Sequence, residues 1–574
     1  MTEHMATRGP DGQGLLALGP GAPVLGHRRL AIIDLDARSN QPLSSADGRL
    51  TIVYNGEIYN YRELRSQLLG CGESFRTTSD TEVLLALYRR EGRAMLARLR
   101  GMFAFALWDA QAERLLLARD PHGIKPLYYA EVAAGFVFAS RAKAVLASGL
   151  VPSAPSPAGL AGFYLWGSVP EPWTVYRAVQ SLPAGHWLEV QRGAAGAPRA
   201  WYDVRERFSE PARRCSPREL AVRVRSAVRD AVRAHRIADV PISVFLSGGV
   251  DSGALAGVLA AQGSRVEGIT IACAEFEGQR EDEVPGARAI ARHYSLEHHV
   301  RKVTRAELAA DLPRILAAMD QPSVDGINTW FASKAAAERG YKVALSGIGG
   351  DELFCGYASF ASLPRASRVA RAMLRLPGAR DALAGVGAVA AALRQQPKLR
   401  ALGDRIGTLE GLYQLGRGLF MPEELPLLMG ASAACEGLEA LGDFASSHAA
   451  AAARAGAAQV GLLESTRYLR NQLLRDSDWA SMAHSVELRT PLVDSRLSEE
   501  LAPYLESFAR GRGKRLLAAC PERPLPRAIV ARGKTGFGLP LGTWLLDAMP
   551  KSPVRAHTPW ARRWARYLGE CWAP

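Results

Sequence analysis

No run of eighteen apolar residues occurs in this chain of 574, so no helix of it is expected to cross a membrane. Its opening, Met1 to Gly14, carries charge, glycine and proline where a secretion signal needs an apolar core, and export is not expected. Cysteine is scarce: the seven, at 71, 215, 273, 355, 435, 520 and 571, are scattered and include no C-x-x-C pair. That excludes a zinc ribbon and a disulfide framework, and it suits a reducing cytoplasm. Acids are outnumbered by bases, 57 to 71, and the net charge of +14 raises nucleic acid as a partner. The bases are spread along the chain instead of blocked, so nucleic acid is not expected. Arg365, Arg368, Arg371 and Arg375 share one helical face, read as the solvated side of an alanine-rich helix.

What is present is ordinary globular material, 48% apolar and 22% charged, long enough for two to four domains. The most informative stretch is Val244-Phe-Leu-Ser-Gly-Gly-Val-Asp-Ser-Gly253. The apolar run Ile242 to Leu246 predicts a buried strand, and Ala254 to Ala261 predicts a helix. Between them, Ser247, Gly248 and Gly249 let backbone N–H groups approach an anion at a helix N-terminus. The Lys-Ser/Thr pair of a Walker A loop is missing, and an acid, Asp251, sits at the anion site. A carboxylate beside phosphate calls for a divalent cation between them, so pyrophosphate, magnesium and carboxylate are expected together.

A second string, Leu345-Ser-Gly-Ile-Gly-Gly-Asp-Glu-Leu-Phe-Cys-Gly-Tyr357, again sets small residues, Ser346 and Gly347, after a predicted strand. It supplies another acid, Asp351, able to share the metal with Asp251. Around it, helix (Pro217 to Ala234), strand, helix, strand (Val266 to Ala272), helix (Val284 to Tyr294) and strand (Lys342 to Leu345) alternate as in a doubly wound α/β domain. Ligands of such sheets bind at the carboxyl ends of strands. Residues 358 to 465 carry no site-like string and are read as helical scaffold.

The region 1 to 205 predicts short strands at Gly26 to Asp34, Leu50 to Tyr54, Phe103 to Asp109, Arg114 to Arg119, Leu127 to Ala130 and Phe136 to Ala139, with a helix at Tyr61 to Leu69. It carries Arg8-Gly-Pro-Asp-Gly12, His27-Arg-Arg-Leu-Ala-Ile-Ile-Asp34, Tyr54-Asn-Gly-Glu-Ile-Tyr-Asn60, Ser79-Asp-Thr-Glu82 and Arg119-Asp-Pro-His-Gly-Ile-Lys-Pro126 in that order.

Ser247-Gly-Gly-Val-Asp-Ser252 is similar to the PP-loop of ATP pyrophosphatases, and all these strings together resemble glutamine-dependent asparagine synthetase, a class II amidotransferase. The resemblance implies two domains. Residues 1–205 would form an α+β, layered N-terminal-nucleophile glutaminase-like domain, and residues 215–574 an α/β PP-loop synthetase domain with a large helical part. It implies that Arg29, Leu30, Ala31, Ile32, Ile33, Asn55, Gly56, Glu57 and Asp80 bind glutamine. Arg29 would take the carboxylate, Glu57 and Asp80 the ammonium, and Asn55 with Gly56 the oxyanion. ATP would lie on Leu246, Ser247, Gly248, Gly249, Asp251, Ser252, Ile271, Ser346 and Gly347, with Mg2+ on Asp251 and Asp351. Lys534, in Arg532-Gly-Lys-Thr-Gly-Phe537, would neutralise the reacting phosphate. Leu473 to Asp478, Ser481 to Pro491 and Asp494 match the family's helical wall of the substrate pocket, where Glu487 and Arg489 would orient the substrate. The expected activity makes an amide, by default asparagine from aspartate with glutamine or ammonia as donor, through an acyl-adenylate and pyrophosphate release. A homodimer is compatible with the family.

Two departures stand out. The family's nucleophile is a cysteine directly after the initiator, whereas this chain begins Met1-Thr2-Glu3-His4. An upstream natural start is the favoured expectation, because the rest of the glutamine set is complete; a glutaminase-dead ligase or cyclase, β-lactam synthetase-like, is the alternative. The family's acid that helps deprotonate ammonia is replaced by Ile348, which cannot move a proton.

Overall fold

The computed structural model describes residues 1–263, 266–393, 396–442, 456–533, 538–548 and 559–572. The N-terminal half carries β1 (Gly12–Ala17), β2 (Val24–Arg29), β3 (Leu43–Ser44), β4 (Leu50–Ile58), β5 (Gly101–Asp109), β6 (Arg114–Arg119), β7 (Tyr128–Val132), β8 (Gly135–Ala139), β9 (Gln180–Ser181), β10 (His186–Gln191), β11 (Ala194–Ala195) and β12 (Arg199–Ala200). Its main sheet is antiparallel, in the order β11-β10-β6-β5-β4-β3, with β12 also on β10. Period-two alternation sorts its side chains. Phe103, Phe105 and Leu107 of β5 join the helices Tyr61–Gly70 and Asp80–Glu91 through Leu64, Leu84 and Leu87. Ala104 and Ala106 face the other way, with Leu115 and Leu117 of β6, toward Leu25, Leu127 and Tyr129. On that side lies the three-stranded sheet β8-β7-β9.

One predicted strand is shortened. The run from Gly26 was expected to continue to Asp34, yet β2 ends at Arg29. Beyond it the chain curls back, because the carbonyls of Ile33, Asp34 and Asp36 all accept hydrogen bonds from the Arg29 guanidinium.

The C-terminal half holds β13 (Ile242–Phe245), β14 (Glu267–Ala272), β15 (Glu297–Lys302), β16 (Val343–Leu345) and β17 (Glu487–Arg489), a wholly parallel sheet ordered β15-β14-β13-β16-β17. Both faces are covered, as parallel sheets require. Val244, Val343 and Leu345 pack with the helices Pro217–His235, Val250–Ala261 and Val284–Tyr294. Phe245, Ile269 and Ala344 pack with Trp330 and Phe331 of Ile327–Glu338 on the opposite face.

The helix after the glycine loop starts at Val250, four residues before the predicted start. β15 escaped prediction because its sequence, Glu-His-His-Val-Arg-Lys, is polar, as an edge strand permits. β17 corrects a second expectation: the stretch matching a helical wall is helical over Arg475–Met482, but Glu487–Arg489 pairs with β16. Between residues 358 and 465 the described elements are helices, among them Ser359–Met373, Ala379–Leu393, Leu409–Arg417, Ala431–Leu441 and Ala457–Leu463.

Candidate functional site

Two cavities contain most of the predicted residues. The first, of about 420 Å3, is lined by Arg29, Leu30, Ile32, Ile33, Asn55, Gly56, Glu57 and Asp80 among others. Asn55 and Gly56 lie inside β4, opposite Ala104 and Phe103, so the dipeptide is a strand segment and no hairpin turn. Gly56 adopts φ +142, and a Cβ there would stand 2.0 Å from the Met102 carbonyl oxygen. Only glycine fits that backbone and that approach. The Asn55 Nδ2 donates to Ser140 Oγ at 3.4 Å.

Asp80 is buried and accepts from the Tyr54 hydroxyl at 2.8 Å and the Ile58 N–H at 3.0 Å. Burial outweighs both bonds and pushes its pKa up to about 6. Glu57 is raised for the same reason, opposed by Arg489, whose Nη2 lies 3.2 Å away. Arg29 lines the cavity, but its guanidinium is turned onto backbone carbonyls and onto Asn40 Oδ1 at 3.1 Å, so the carboxylate-binding fork is engaged by protein groups. Ala31 does not line the cavity; its N–H donates to Asp11 at 2.8 Å.

The second cavity, about 580 Å3, opens at the carboxyl ends of β13 and β16. Ser247, Gly248, Gly249, Asp251, Ser252, Ser346, Gly347 and Asp351 all line it. The Ser247 and Ser252 hydroxyls are 2.8 Å apart, closing the loop onto the first turn of its helix. The approach of the two glycine-rich strings is tight: a Cβ on Gly347 would lie 2.9 Å from both the Asp251 Cβ and the Ser252 nitrogen. Leu246 and Ile271 depart from expectation. Both are buried and neither lines the cavity, because alternation turns Leu246 into the helix-packed face of the sheet and Ile271 into the core on the other side.

Sequence reasoning missed the residue that joins the two aspartates. Lys514 Nζ lies 2.5 Å from Asp251 Oδ1 and 2.6 Å from Asp351 Oδ1. Burial opposes its charge, yet the two carboxylates hold its pKa above the usual lysine value. No local signal marks it within Arg510-Gly-Arg-Gly-Lys-Arg515. Lys534 lies outside the described residues.

Glu487 and Arg489, expected to orient substrate, are placed elsewhere. On β17 the two point to the same side, and Leu488 between them reaches the nucleotide cavity. Arg489 is fully buried, with Nε 2.9 Å from Glu487 and Nη1 donating to the carbonyls of His235 at 2.9 Å and Ile237 at 2.6 Å. Glu487 lines the first cavity and faces Lys125 at 3.4 Å. The pair therefore braces the glutamine-side cavity.

Comparison with known proteins matches the two halves of the chain to two families. Residues 1–202 match the glutamine amidotransferase domain family, and residues 223–558 match the asparagine synthase family. The chain belongs to the asparagine synthase family. It is similar to asparagine synthetase [glutamine-hydrolyzing] 1 of Bacillus subtilis, 31% identical over 96% of this chain and 84% of that one. Asparagine synthetase B [glutamine-hydrolyzing] of Escherichia coli is 31% identical over 64% of this chain and 63% of its own. Amidase chyE of Penicillium rubens is 32% identical over 62% and 54%. This asparagine synthase family member is thus an ATP-dependent amidotransferase of the asparagine synthetase type, a carbon–nitrogen ligase. Its two-domain architecture, glutaminase-like and then synthetase, follows the order of the two matched families. None of the helices among the described residues is long and apolar enough to cross a membrane.

Proposed function

We propose that the second cavity adenylates the carboxylate of a small amino acid, by default aspartate, and that ammonia, supplied by glutamine bound in the first cavity or taken up free, displaces AMP to leave an amide. The observation that carries this reading is the shared cation of Asp251 and Asp351: their oxygens converge on one ammonium at 2.5 and 2.6 Å beside the glycine loop. A point that holds an ammonium between two carboxylates suits Mg2+ completed by phosphate oxygens. When bound, magnesium would neutralise the pyrophosphate as it leaves.

The chain's own groups do the rest. Ser247, Gly248 and Gly249 would cradle phosphate with Ser346 and Gly347 beside them. The substrate carboxylate attacks the α-phosphorus and pyrophosphate departs. Lys514, swinging from the aspartates, and Lys534 would balance the charge that develops. In the first cavity Glu57 and Asp80 would take glutamine's ammonium, Arg29 its carboxylate, and Asn55 with Gly56 the oxyanion. We place the enzyme in the cytoplasm, a reading supported by seven cysteines of which none is disulfide-bonded.

The test is acceptor-dependent ATP–pyrophosphate exchange across a panel of amino acids. Aspartate should support exchange, and Asp251→Asn should abolish it. Full exchange in that variant would overturn the assignment.

A further inference from the structure

The glycine loop has a cation against it to which the reading above gives no role. Arg532 lines the nucleotide cavity with Ser247, Gly248 and Gly249. Its guanidinium is wedged between two glycines on separate elements, Gly248 of the loop and Gly286 of the helix Val284–Tyr294. A Cβ on Gly248 would come within 2.2 Å of Arg532 Nη1, and one on Gly286 within 2.8 Å. The two glycines also pack on each other, since the same Cβ on Gly286 would lie 2.8 Å from the Gly248 Cα. Their missing side chains leave the slot that the guanidinium fills beside the loop.

The guanidinium is fixed from one side only. Nη2 donates to the carbonyls of Arg280 at 3.0 Å and Asp282 at 2.7 Å, in the segment joining β14 to that helix. Among the described residues no acid pairs with Arg532, and neither Nη1 nor Nε donates to a protein acceptor. An arginine pinned by two carbonyls, with its remaining donors beside an anion loop, is already arranged for phosphate, which its planar fork fits.

We propose that Arg532 binds the pyrophosphate half of the nucleotide and stays on it as it departs. This deepens the adenylation reading and rests on it. As the substrate carboxylate oxygen bonds to the α-phosphorus, the bond from that phosphorus to the bridging oxygen breaks. Its electron pair leaves on pyrophosphate, and no proton moves. Lys514 lies on Asp251 at 2.5 Å and on Asp351 at 2.6 Å, so it must give up two carboxylates before it can meet that charge. Arg532 gives up nothing: the two carbonyls keep Nη2 while Nη1 and Nε turn to the phosphate. A cation held in place before the reaction stabilises developing charge without reorganising at the moment of transfer.

The experiment measures binding of Mg-pyrophosphate and, separately, of AMP by titration calorimetry to the full-length wild type, Arg532→Gln and Arg532→Lys. Arg532→Gln should weaken Mg-pyrophosphate by about 10- to 100-fold, the weight of a charge-assisted hydrogen bond or two, and leave AMP within about twofold. Arg532→Lys should fall between, because an ammonium keeps the charge and loses the fork. A residue that only braces the loop would weaken both ligands together. A second measurement needs no variant: Mg-pyrophosphate should protect Arg532 of the wild type from phenylglyoxal, mapped by peptide mass spectrometry, and AMP should not. The inference is overturned if Arg532→Gln binds Mg-pyrophosphate as tightly as wild type, if pyrophosphate and AMP weaken equally, or if pyrophosphate leaves Arg532 unprotected. A wild type that binds no Mg-pyrophosphate at all strikes the adenylation reading itself, and this inference falls with it.

Discussion

Gly56 shows how one position constrains a site. It sits mid-strand with φ +142, and any side chain would run into the Met102 carbonyl and the Phe103 Cα. Gly56→Ala should destabilise the protein by at least about 2 kcal/mol, from backbone strain and overpacking together, read as a lower urea midpoint. Asp80 offers a pH test. Its folded pKa, about 6, lies above the ordinary value of 3.8, so the folded state holds the proton more tightly. Below about pH 4 both states are protonated and burial of the acid costs nothing. As pH rises through 6 the folded state must ionise it, and roughly 2–3 kcal/mol of stability is lost. Asp80→Asn keeps an oxygen for Tyr54 and Ile58, which both donate to Oδ2. The variant should therefore be more stable than wild type at pH 8, with the difference disappearing by pH 4 in thermal unfolding. Lys514→Met removes the ammonium that lies 2.5 Å from Asp251 and 2.6 Å from Asp351. These side chains are 17–25% exposed, so the loss should be about 1–2 kcal/mol, and millimolar Mg2+ should restore part of it. A loss that Mg2+ leaves untouched would speak against the metal assignment.

At the level of elements, the short strand β17 links the two sites. Its Arg489 side chain meets Glu57 of β4 at 3.2 Å, while its carbonyl accepts from the Ser346 N–H at 2.9 Å, where the second nucleotide string begins. Removing a fully buried cation strands Glu57 in the core and leaves Glu487 with Lys125 at 3.4 Å. Arg489→Met should cost about 3–5 kcal/mol, and Glu57→Gln added to it should recover part. Additivity of the two changes in a double-mutant cycle would show that the pair is not coupled. The strands bearing both sites were readable because their apolar patterns are strong: β6 matches its prediction residue for residue, and β4 and β5 were found with ragged ends. β15 and β17 were not, since a polar edge strand and a three-residue strand carry too little periodicity to register.

Across the whole molecule the halves share more than a linker. Arg100 of the N-terminal half holds Asp494 at 2.8 and 3.1 Å and Asp230 at 2.7 Å. Arg8 grips Asp478 at 2.7 and 3.0 Å. One apolar cluster runs through both, from Ile52 and Phe103 to Val228 and Leu505. Calorimetry should therefore show one main transition, moved upward by Mg-ATP through preferential binding to the native state. Two well-separated transitions, only the second responsive to nucleotide, would contradict this. The sequence alone determined which chemistry the chain carries: glycine loops, paired acids and the glutamine strings are local, because backbone approach to an anion depends on adjacent small residues. Tertiary structure alone decided which partners those groups meet. Lys514 between the aspartates and Arg489 beneath the glutamine cavity depend on strand alternation and on contacts between segments hundreds of residues apart, which no local pattern encodes.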